Sequence, residues 1–325
     1  MALVFTAIAD SIASLLLLAE HRRRMSGGAS VWAFVDPWLA LAIVGVSVGL
    51  YGFGMSLNDI IDRRRDALLA AHRPLPSGRV SSTLAHAICV MLAILAVVSA
   101  SVYAVRSGDY GYRSLVLLVW TGALITFYDF AGKYLVAPGL ITLGLIRFFH
   151  VCIPAWQLPL LWHPLWLLNH VVILSTICYM WEEKRPPLTR KHWALVISGL
   201  LSINLLAIGA VWWRRVPRAD GDVSVALWID PGLVWPIVAT VVFAMIVFYM
   251  RTRARSSRQV GQDLMLYGLL WLIVYDAAFV AGYVGWQAAL LLVALLPVAW
   301  LAVRVMRAWG KIISLTQRPD YVRAT

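Results

Sequence analysis

The sequence contains few cysteines and few charged side chains, and each shortage excludes a class of protein. Only three cysteines occur in 325 residues, Cys89, Cys152 and Cys178, and all three lie in apolar stretches without C-x-x-C spacing. This spacing indicates neither a disulfide framework nor a zinc site, so we interpret them as packing residues. Charged residues make up 14% of the chain and hydrophobic residues 61%, with a mean hydropathy of +0.78. Such a composition excludes an ordinary soluble domain.

Acidic residues are also scarce relative to basic ones, and the formal net charge is +12. In a soluble protein this excess would suggest a nucleic-acid partner. Here the basic residues fall in short loops between apolar runs, where they set membrane orientation, so we expect no nucleic-acid binding. The first apolar run is interrupted by Asp10 and has no basic residue before it. We therefore expect a retained helix there, not a signal peptide.

Apolar runs of about 20 residues, the length that crosses a bilayer, recur with short connections between them. They lie near residues 2–20, 36–58, 82–105, 112–130, 137–158, 164–182, 192–213, 231–250, 263–283 and 286–307. The count is ten, or nine if the last two runs form one broken helix around residues 282–286. The predicted fold class is all-α: a polytopic transmembrane bundle of nine or ten helices, with residues 1–325 forming a single integral-membrane domain.

An acidic stretch at the end of the second run is the main polar feature of the sequence. In a helix, Asn58, Asp59, Asp62 and Asp66 share one face about 100° wide, whereas residues 63–65, all arginines, point elsewhere. Carboxylates that converge repel one another unless a cation lies among them, and oxygen ligands suit Mg2+. The four residues are therefore candidate metal ligands at a diphosphate site. The alternative is a solvated helix end in which the aspartates pair with the arginines.

A basic, proline-broken loop follows the acidic stretch and favours the metal site. It reads H-R-P-L-P-S-G-R from His72 to Arg79. Arg73 and Arg79 lie in it, where they could neutralise the remaining charge of a bound anion.

The pattern N-D-x-x-D-x-x-x-D followed by H-R-P-x-P-S-G-R resembles the first signature of the UbiA superfamily of intramembrane prenyltransferases. Strong motif identity covers about residues 58–81, and two later loops, about 128–136 and 179–191, match more weakly. The resemblance implies an all-helical enzyme that uses Mg2+ to hold an isoprenyl diphosphate. It also implies transfer of the prenyl group to an aromatic or other lipid acceptor within the membrane.

The first later loop contains Tyr128 and Lys133 and resembles the superfamily's Y-x-x-x-K type loop. The resemblance makes Lys133 a point charge for phosphate; the alternative is a lysine that only sets orientation. Arg147 lies in the middle of the next apolar run. A cation at that depth is costly unless it faces a polar partner or cavity, so we treat it as a candidate site residue.

The second later loop departs from the superfamily pattern, which usually shows a second aspartate-rich motif such as D-x-x-x-D. This chain has adjacent Glu182 and Glu183, followed by Lys184 and Arg185. In one interpretation a glutamate holds a second Mg2+ while the two cations bind phosphate directly. In the others the second metal site is lost, or the cluster has no catalytic part.

Taken together, the candidate residues form two sets. The catalytic set is Asp59, Asp62, Asp66, Glu182 and Glu183. The diphosphate-binding set is Asn58, Arg73, Tyr128, Lys133, Arg147, Lys184 and Arg185. Outside both sets, Asp276 lies near the middle of the ninth run, where it orients an acceptor hydroxyl, pairs with Arg147, or is a protonated, hydrogen-bonded structural residue.

Loop charge predicts the orientation. The loops after the second, fourth, sixth and eighth runs hold more lysine and arginine than the loops on the opposite side, so they should be cytoplasmic. This places the candidate site on the cytoplasmic side of a membrane, which we expect to be a bacterial inner membrane.

The predicted function is Mg2+-dependent prenyl transfer from an isoprenyl diphosphate to an aromatic or lipid acceptor, with membrane lipids around the protein. One rival within the same fold is transfer of another group, such as a phosphoribosyl unit to a polyprenyl phosphate, or intramembrane terpene cyclisation. A rival from another class is a transporter or a non-catalytic lipid-binding protein. The sequence shows no convincing internal repeat of the kind that transporters commonly have.

Overall fold

A computed structural model describes residues 4–28, 30–71, 73–109, 112–157, 160–254 and 256–316, and within these ranges the chain is helical with no β-strand. The helices are α1 Val4–Ser26, α2 Pro37–Leu69, α3 Ser82–Ser107, α4 Arg113–Phe130, α5 Val136–Cys152, α6 Trp162–Trp181, α7 Arg190–Arg215, α8 Val223–Ala226, α9 Val234–Arg253, α10 Ser257–Tyr283, α11 Trp286–Val293 and α12 Leu295–Thr316. Short 3-10 turns occur at Val31–Phe34, Gly132–Tyr134, Val216–Arg218 and Pro231–Leu233.

Nine helices in the described part of the chain are long and apolar enough to cross a membrane, counting α11 and the start of α12 as one segment. Helix α5 is a further apolar helix of 17 residues. The all-α fold class and the count of nine or ten helices are confirmed. The doubtful connection between α10 and α11 is a true break, because Gly285 has a φ of +136°, which ends the helical path.

Helix α1 lies in the middle of the bundle. It packs against α2, α5, α10, α11 and α12, and most of its apolar length is buried. Helices α7 and α9 are peripheral, and most of their side chains are exposed. Exposed apolar side chains on such helices are expected where lipid replaces water as the solvent. The central position of α1 matters because it also carries buried polar side chains, among them Thr6, Asp10, Ser11 and Ser14.

Helix α2, which carries the acidic stretch, packs most extensively against α3. Gly49 allows this close approach, since an added Cβ would lie 2.6 Å from the backbone nitrogen of Ala96 on α3. Small residues at such positions let transmembrane helices approach backbone to backbone. Helix α2 also continues to Leu69, whereas the apolar run predicted an end near residue 58. The acidic stretch is thus helical throughout, and residues 63–69, which are arginine, alanine and leucine apart from Asp66, are mostly good helix formers.

The helix ends fall on two faces of the bundle. On one face, Arg24 at the end of α1 contacts Asp230 before α9 and the carbonyl of Tyr283 at the end of α10. On the other face, Arg251 at the end of α9 lies 5.6 Å over the ring of Trp181 at the end of α6. The ends of α2, α4 and α6 belong to this second face, which we call the site face.

Candidate active site

The acidic stretch occupies the last turns of α2 at the site face. Asn58, Asp62 and Asp66 are half-buried, whereas Asp59 is exposed. Residues 63–65, the three arginines, are also exposed. The inward-facing part of the predicted metal set is therefore Asn58, Asp62 and Asp66, each about one helical turn from the next along α2. Asp59 lies at the edge of this group.

Lys133 lies against this face and links α2 to the loop between α4 and α5. Its Nζ donates to Oδ1 of Asp62 at 2.7 Å and to Oδ1 of Asn58 at 3.2 Å. The turn that carries Lys133 folds tightly onto the start of α5, where an added Cβ on Gly139 would lie 2.2 Å from the carbonyl oxygen of Gly132. The two α2 oxygens therefore converge on one cationic group that is held in place by the backbone.

Two side chains of α4 complete this cluster. Tyr128 is half-buried and lies within electrostatic range of Asp62. Asp129 is buried and interacts electrostatically with Lys133, Asp62 and Asp59. Sequence reasoning did not select Asp129, although it directly follows Tyr128. A carboxylate inside the last turn of an apolar helix was the signal that could have identified it.

The basic loop after α2 packs over the end of the acidic stretch. Arg73 donates to Oδ2 of Asp66 at 2.5 Å, and Arg79 donates to the hydroxyl of Ser77 at 3.1 Å. Leu75 is buried and anchors the loop to the bundle. His72, part of the same motif, lies outside the described residues. Each half-buried aspartate of α2 therefore has one basic partner, Lys133 for Asp62 and Arg73 for Asp66.

At the end of α6 the two glutamates have different surroundings. Glu182 pairs with Lys184 at 3.3 Å and packs against Gly261 of α10. Glu183 is exposed and has a φ of 53°, the left-handed conformation that closes the helix. Arg185 is exposed as well. The adjacent glutamates thus offer one partly buried carboxylate with a cation beside it.

Arg147 and Asp276 lie deeper, in the core of the bundle. Arg147 of α5 pairs with Asp10 and with the hydroxyl of Thr6, both on α1. Asp276 of α10 pairs with Nε2 of His163 on α6 at 2.7 Å. Pairing with Arg147, one of the three alternatives for Asp276, is not what the structure shows, because Arg147 pairs with Asp10 and Asp276 with His163. Sequence reasoning could not foresee this, since α1 and α5 are far apart in the chain.

The donor set of the α2 cluster fits Mg2+. In the described part of the chain, no group of three or more His, Cys, Asp or Glu side chains is arranged to hold a metal ion. Asn58 and Asp62 nevertheless place two oxygens around a single cation, the ammonium of Lys133. Mg2+ is commonly bound by one or two protein oxygens, while waters and substrate phosphates complete its octahedron. The cluster therefore fits an ion that arrives with a phosphate better than an ion enclosed by protein alone.

A cavity of about 610 Å³ lies between α6, α9 and α10. Its lining is apolar and aromatic, with Trp166, Phe243 and Tyr275 along it. Trp181 and Arg251 line it at the site-face end, next to Glu182. The volume is in the range of small-molecule sites, and the lining suits a hydrocarbon chain.

Comparison with known proteins gives two similarities, while no family model matches the chain. The chain is 29% identical over 142 residues to digeranylgeranylglyceryl phosphate synthase of Sulfurisphaera tokodaii, a match that covers 37% of this chain and 51% of that protein. The chain thus spans about half the length of the curated relative it matches. A solved structure of digeranylgeranylglyceryl phosphate synthase in membranes superposes with a TM-score of 0.54 and 14% identity, covering 86% of this chain and 94% of that one.

The chain has the UbiA fold. The all-helical fold that the resemblance implies is thereby confirmed, and the match in overall structure covers 86% of the chain. The nine membrane-length apolar helices among the described residues, together with this structural likeness, support an integral membrane protein. In this UbiA-type bundle, the acidic cluster of α2 and the basic groups around it lie together at one face.

Proposed function

We propose that this protein is an integral-membrane prenyltransferase that takes the prenyl group from an isoprenyl diphosphate and transfers it to a lipid or aromatic acceptor. The observation that carries the proposal is the convergence of Asn58 and Asp62 on Lys133 at a half-buried helix end. Both similar proteins are digeranylgeranylglyceryl phosphate synthases, enzymes named for a prenyl-bearing lipid phosphate, and this supports the same reaction class.

Mg2+ is the metal that we propose for the α2 cluster. Asn58, Asp62 and Asp66 would hold it, with Asp59 at the rim and Asp129 behind Lys133. When bound, the ion supplies Lewis-acid charge to the diphosphate oxygens as the leaving group departs. The protein oxygens fix where the diphosphate lies relative to the bundle interior.

The basic side chains act on the same diphosphate. Lys133 and Arg73 lie beside the aspartates, and Lys184 and Arg185 lie at the end of α6 on the same face. Breaking the C–O bond places extra negative charge on the diphosphate, so cations already in position stabilise the transition state more than the ground state. Tyr128, which is half-buried and interacts electrostatically with Asp62, would donate a hydrogen bond to a diphosphate oxygen. A role for Arg147 in diphosphate binding stays a prediction.

The hydrocarbon part of a lipid substrate fits the 610 Å³ cavity between α6, α9 and α10. Its apolar walls would keep water away from a developing prenyl cation, which would otherwise be hydrolysed. The site-face end of the cavity at Trp181 adjoins Glu182 and Lys184. A chain in the cavity would therefore place its polar head near the basic end of α6.

Orientation is part of the proposal. The site face carries residues 63–65 together with Arg73, Lys133 and Lys184. An excess of arginine and lysine in short loops marks the cytoplasmic side. We therefore propose that the diphosphate is taken up from the cytoplasm, at the inner membrane of a bacterial cell.

The test uses the full chain, purified in nanodiscs, with radiolabelled isoprenyl diphosphates of several lengths and a membrane lipid extract. Mg2+-dependent label in a lipid product, with release of pyrophosphate, is the expected result, and chelation should abolish it. Asp62→Asn should lower the transfer rate at least about 100-fold, because it removes the charge that holds both the metal and Lys133. Asp220→Asn, an exposed aspartate in the loop before α8, is the matched control and should leave the rate unchanged.

The outcomes separate the proposal from its rivals. Labelled hydrocarbon without acceptor would indicate a terpene cyclase, and transfer only from a phosphoribosyl donor would indicate the other transferase within this fold. Saturable binding of isoprenyl diphosphate with no pyrophosphate release would indicate a lipid-binding protein or a transporter. Each of these three results would overturn prenyl transfer.

A further inference from the structure

A separate cavity lies on the face of the bundle opposite the site face. Its volume is about 660 Å³, and it lies between the start of α4, the turn after α5 and the end of α7. The residues around it are Arg113, Val116, Leu117, Trp156, Gln157 and Arg214. None of them belongs to the candidate active site, so this cavity needs an explanation of its own.

The basic groups at this cavity are held by other parts of the chain. The guanidinium of Arg113 lies 4.0 Å over the ring of Trp156. Arg215, which follows Arg214, donates to the backbone carbonyl of Gln157 at 2.8 Å and so ties the end of α7 to the turn after α5. A guanidinium that is already oriented can offer two parallel hydrogen bonds to a phosphate with little further loss of conformational freedom. Two helices that are distant in sequence thereby bring arginines to one cavity.

The charge of the lining is of one sign. Arg106, on the same face, pairs with Asp36 at 2.9 Å. In contrast, Arg113 has no carboxylate within ion-pair distance in the described part of the chain. Asp109, four residues earlier, is buried and accepts hydrogen bonds from the backbone nitrogen and the hydroxyl of Ser114. None of the described residues that line the cavity is acidic, so the lining attracts an anion.

The surroundings of the cavity are those of a lipid-facing surface. Val116 lines it and is exposed, as is Trp120 one turn further along α4. Trp212 and Trp213 are exposed near the end of α7. Exposed apolar side chains on such helices face lipid, and tryptophans are enriched where a bilayer meets water. An anion bound at the cavity would therefore have hydrocarbon directly beside it.

We propose that this cavity binds the headgroup phosphate of an anionic phospholipid, in the leaflet away from the site face. Arg113 and Arg214 donate to the phosphate oxygens, and the acyl chains lie along α4 past Val116 and Trp120. Basic pockets between membrane helices are a known way to recognise anionic headgroups. A free phosphate would use the arginines but not the apolar surface, and a zwitterionic headgroup would bring its own cation beside them. An anionic phospholipid uses both features.

The test places a reporter next to the cavity, because anionic lipid also collects at the basic loops of the site face. The exposed Val119 of α4 is replaced as Val119→Cys and labelled with a fluorophore, while the three native cysteines are buried. The labelled full chain is placed in phosphatidylcholine nanodiscs with rising fractions of phosphatidylglycerol whose acyl chains are brominated. Bromine quenches the fluorophore on contact, so the quenching curve gives the affinity of phosphatidylglycerol relative to phosphatidylcholine at this cavity.

The two arginines set the expected preference. Each basic residue near the membrane surface strengthens the binding of an anionic lipid about fivefold, so the relative affinity should be about 25-fold with both arginines present. Arg113→Gln and Arg214→Gln should each lower it about fivefold, and the double variant should remove it. Arg113→Lys should lose less, since it keeps the charge but not the planar fork. Arg106→Gln, on the same face, should leave the preference unchanged.

A second reporter position controls for the location of the lipid. Val241 lies on the exposed side of α9, away from this cavity, and a fluorophore on Val241→Cys should be quenched alike in the wild type and in the double variant. Inorganic phosphate added to the buffer should not displace the lipid from the cavity.

Three results would overturn the proposal: equal affinity for the two lipids beside the cavity, a preference that the double variant retains, or a preference that inorganic phosphate abolishes. The last result would indicate a site for free phosphate. If the double variant fails to fold, the wild-type lipid comparison and the phosphate competition still decide. No prenyl substrate is present, so the lipid site can fail or hold independently of the proposed enzyme activity.

Discussion

Replacing Lys133 by methionine removes the one cation on which Asn58 and Asp62 converge. The ammonium lies 2.7 Å from Asp62 and 3.2 Å from Asn58, and the paired side chains are only 11% and 14% exposed. Methionine keeps most of the length and apolar stem of lysine but carries no charge. The substitution therefore tests the charge of Lys133 with little change in packing.

The size of the effect follows from this geometry. At 2.7 Å and an effective dielectric constant of about 20, the attraction between Lys133 and Asp62 is ~6 kcal/mol before desolvation is subtracted. Close charge pairs measured by double-mutant cycles fall in a range of about 1.5–7 kcal/mol. We expect a coupling of about 2–4 kcal/mol between Lys133→Met and Asp62→Asn in the free energy of unfolding.

Two measured quantities should change, the rate of prenyl transfer and the Mg2+ concentration that gives half-maximal activity. The rate of prenyl transfer should fall about 100- to 1000-fold, the usual effect of removing one preorganised group that stabilises transition-state charge. The Mg2+ concentration for half-maximal activity should fall as well, because Lys133 no longer competes for the oxygens of Asn58 and Asp62.

The assay is a Mg2+ titration of labelled prenyl transfer in nanodiscs, with chemical unfolding measured on the same samples. Lys191→Met is the matched control, since Lys191 is exposed at the start of α7 on the same face. A Lys133→Met protein that transfers prenyl groups within threefold of the wild-type rate would refute a role for this ammonium in catalysis. A coupling energy near zero would refute the pair itself.

Two further predictions concern packing and substrate length. Gly49→Ala should destabilise the protein by about 1–3 kcal/mol, because the new Cβ meets the backbone nitrogen of Ala96 at 2.6 Å. An added Cβ at Gly122 meets open space, so Gly122→Ala should be neutral or should stabilise the protein by up to about 1 kcal/mol. The unfolding midpoints of the two variants check this difference in stability, and equal midpoints would contradict the steric role of Gly49. Ala244→Trp should fill the 610 Å³ cavity and raise KM for long-chain substrates about tenfold or more, while Ala210→Trp on the exposed side of α7 should not. Unchanged KM values across chain lengths would exclude the cavity as the chain site.

Much of the fold could be predicted from local pattern. Apolar runs of bilayer length identify helices because every backbone polar group inside lipid must be paired within its own segment. The small-x-x-x-small spacing of Gly45 and Gly49 likewise favours a close helix contact, and Gly49 lies against α3. The break before Trp286 needed only a glycine that can adopt a positive φ. These features depend on neighbours in sequence, which is why they could be read directly.

Pairings between distant helices could not be predicted in the same way. Asp10 and Arg147 are 137 residues apart, and His163 and Asp276 are 113 apart. From the sequence alone, Asp10 is only an interruption of the first run, and Arg147 is one possible partner for Asp276. Which buried charge meets which depends on helix rotation and order in the bundle, and a single sequence contains no local signal for either.

The end of α6 bears on how many metal ions the site uses. Glu182 already has Lys184 at 3.3 Å, and Glu183 is exposed on the residue that closes the helix. A second ion at this point would have to displace Lys184 from the one partly buried carboxylate available. The α2 side, in contrast, presents two oxygens around one cation and an acidic neighbour, Asp129, behind it. Of the interpretations that the sequence left open, we therefore propose the loss of the second metal site, with one ion at α2 and Lys184 supplying charge to the diphosphate directly from α6.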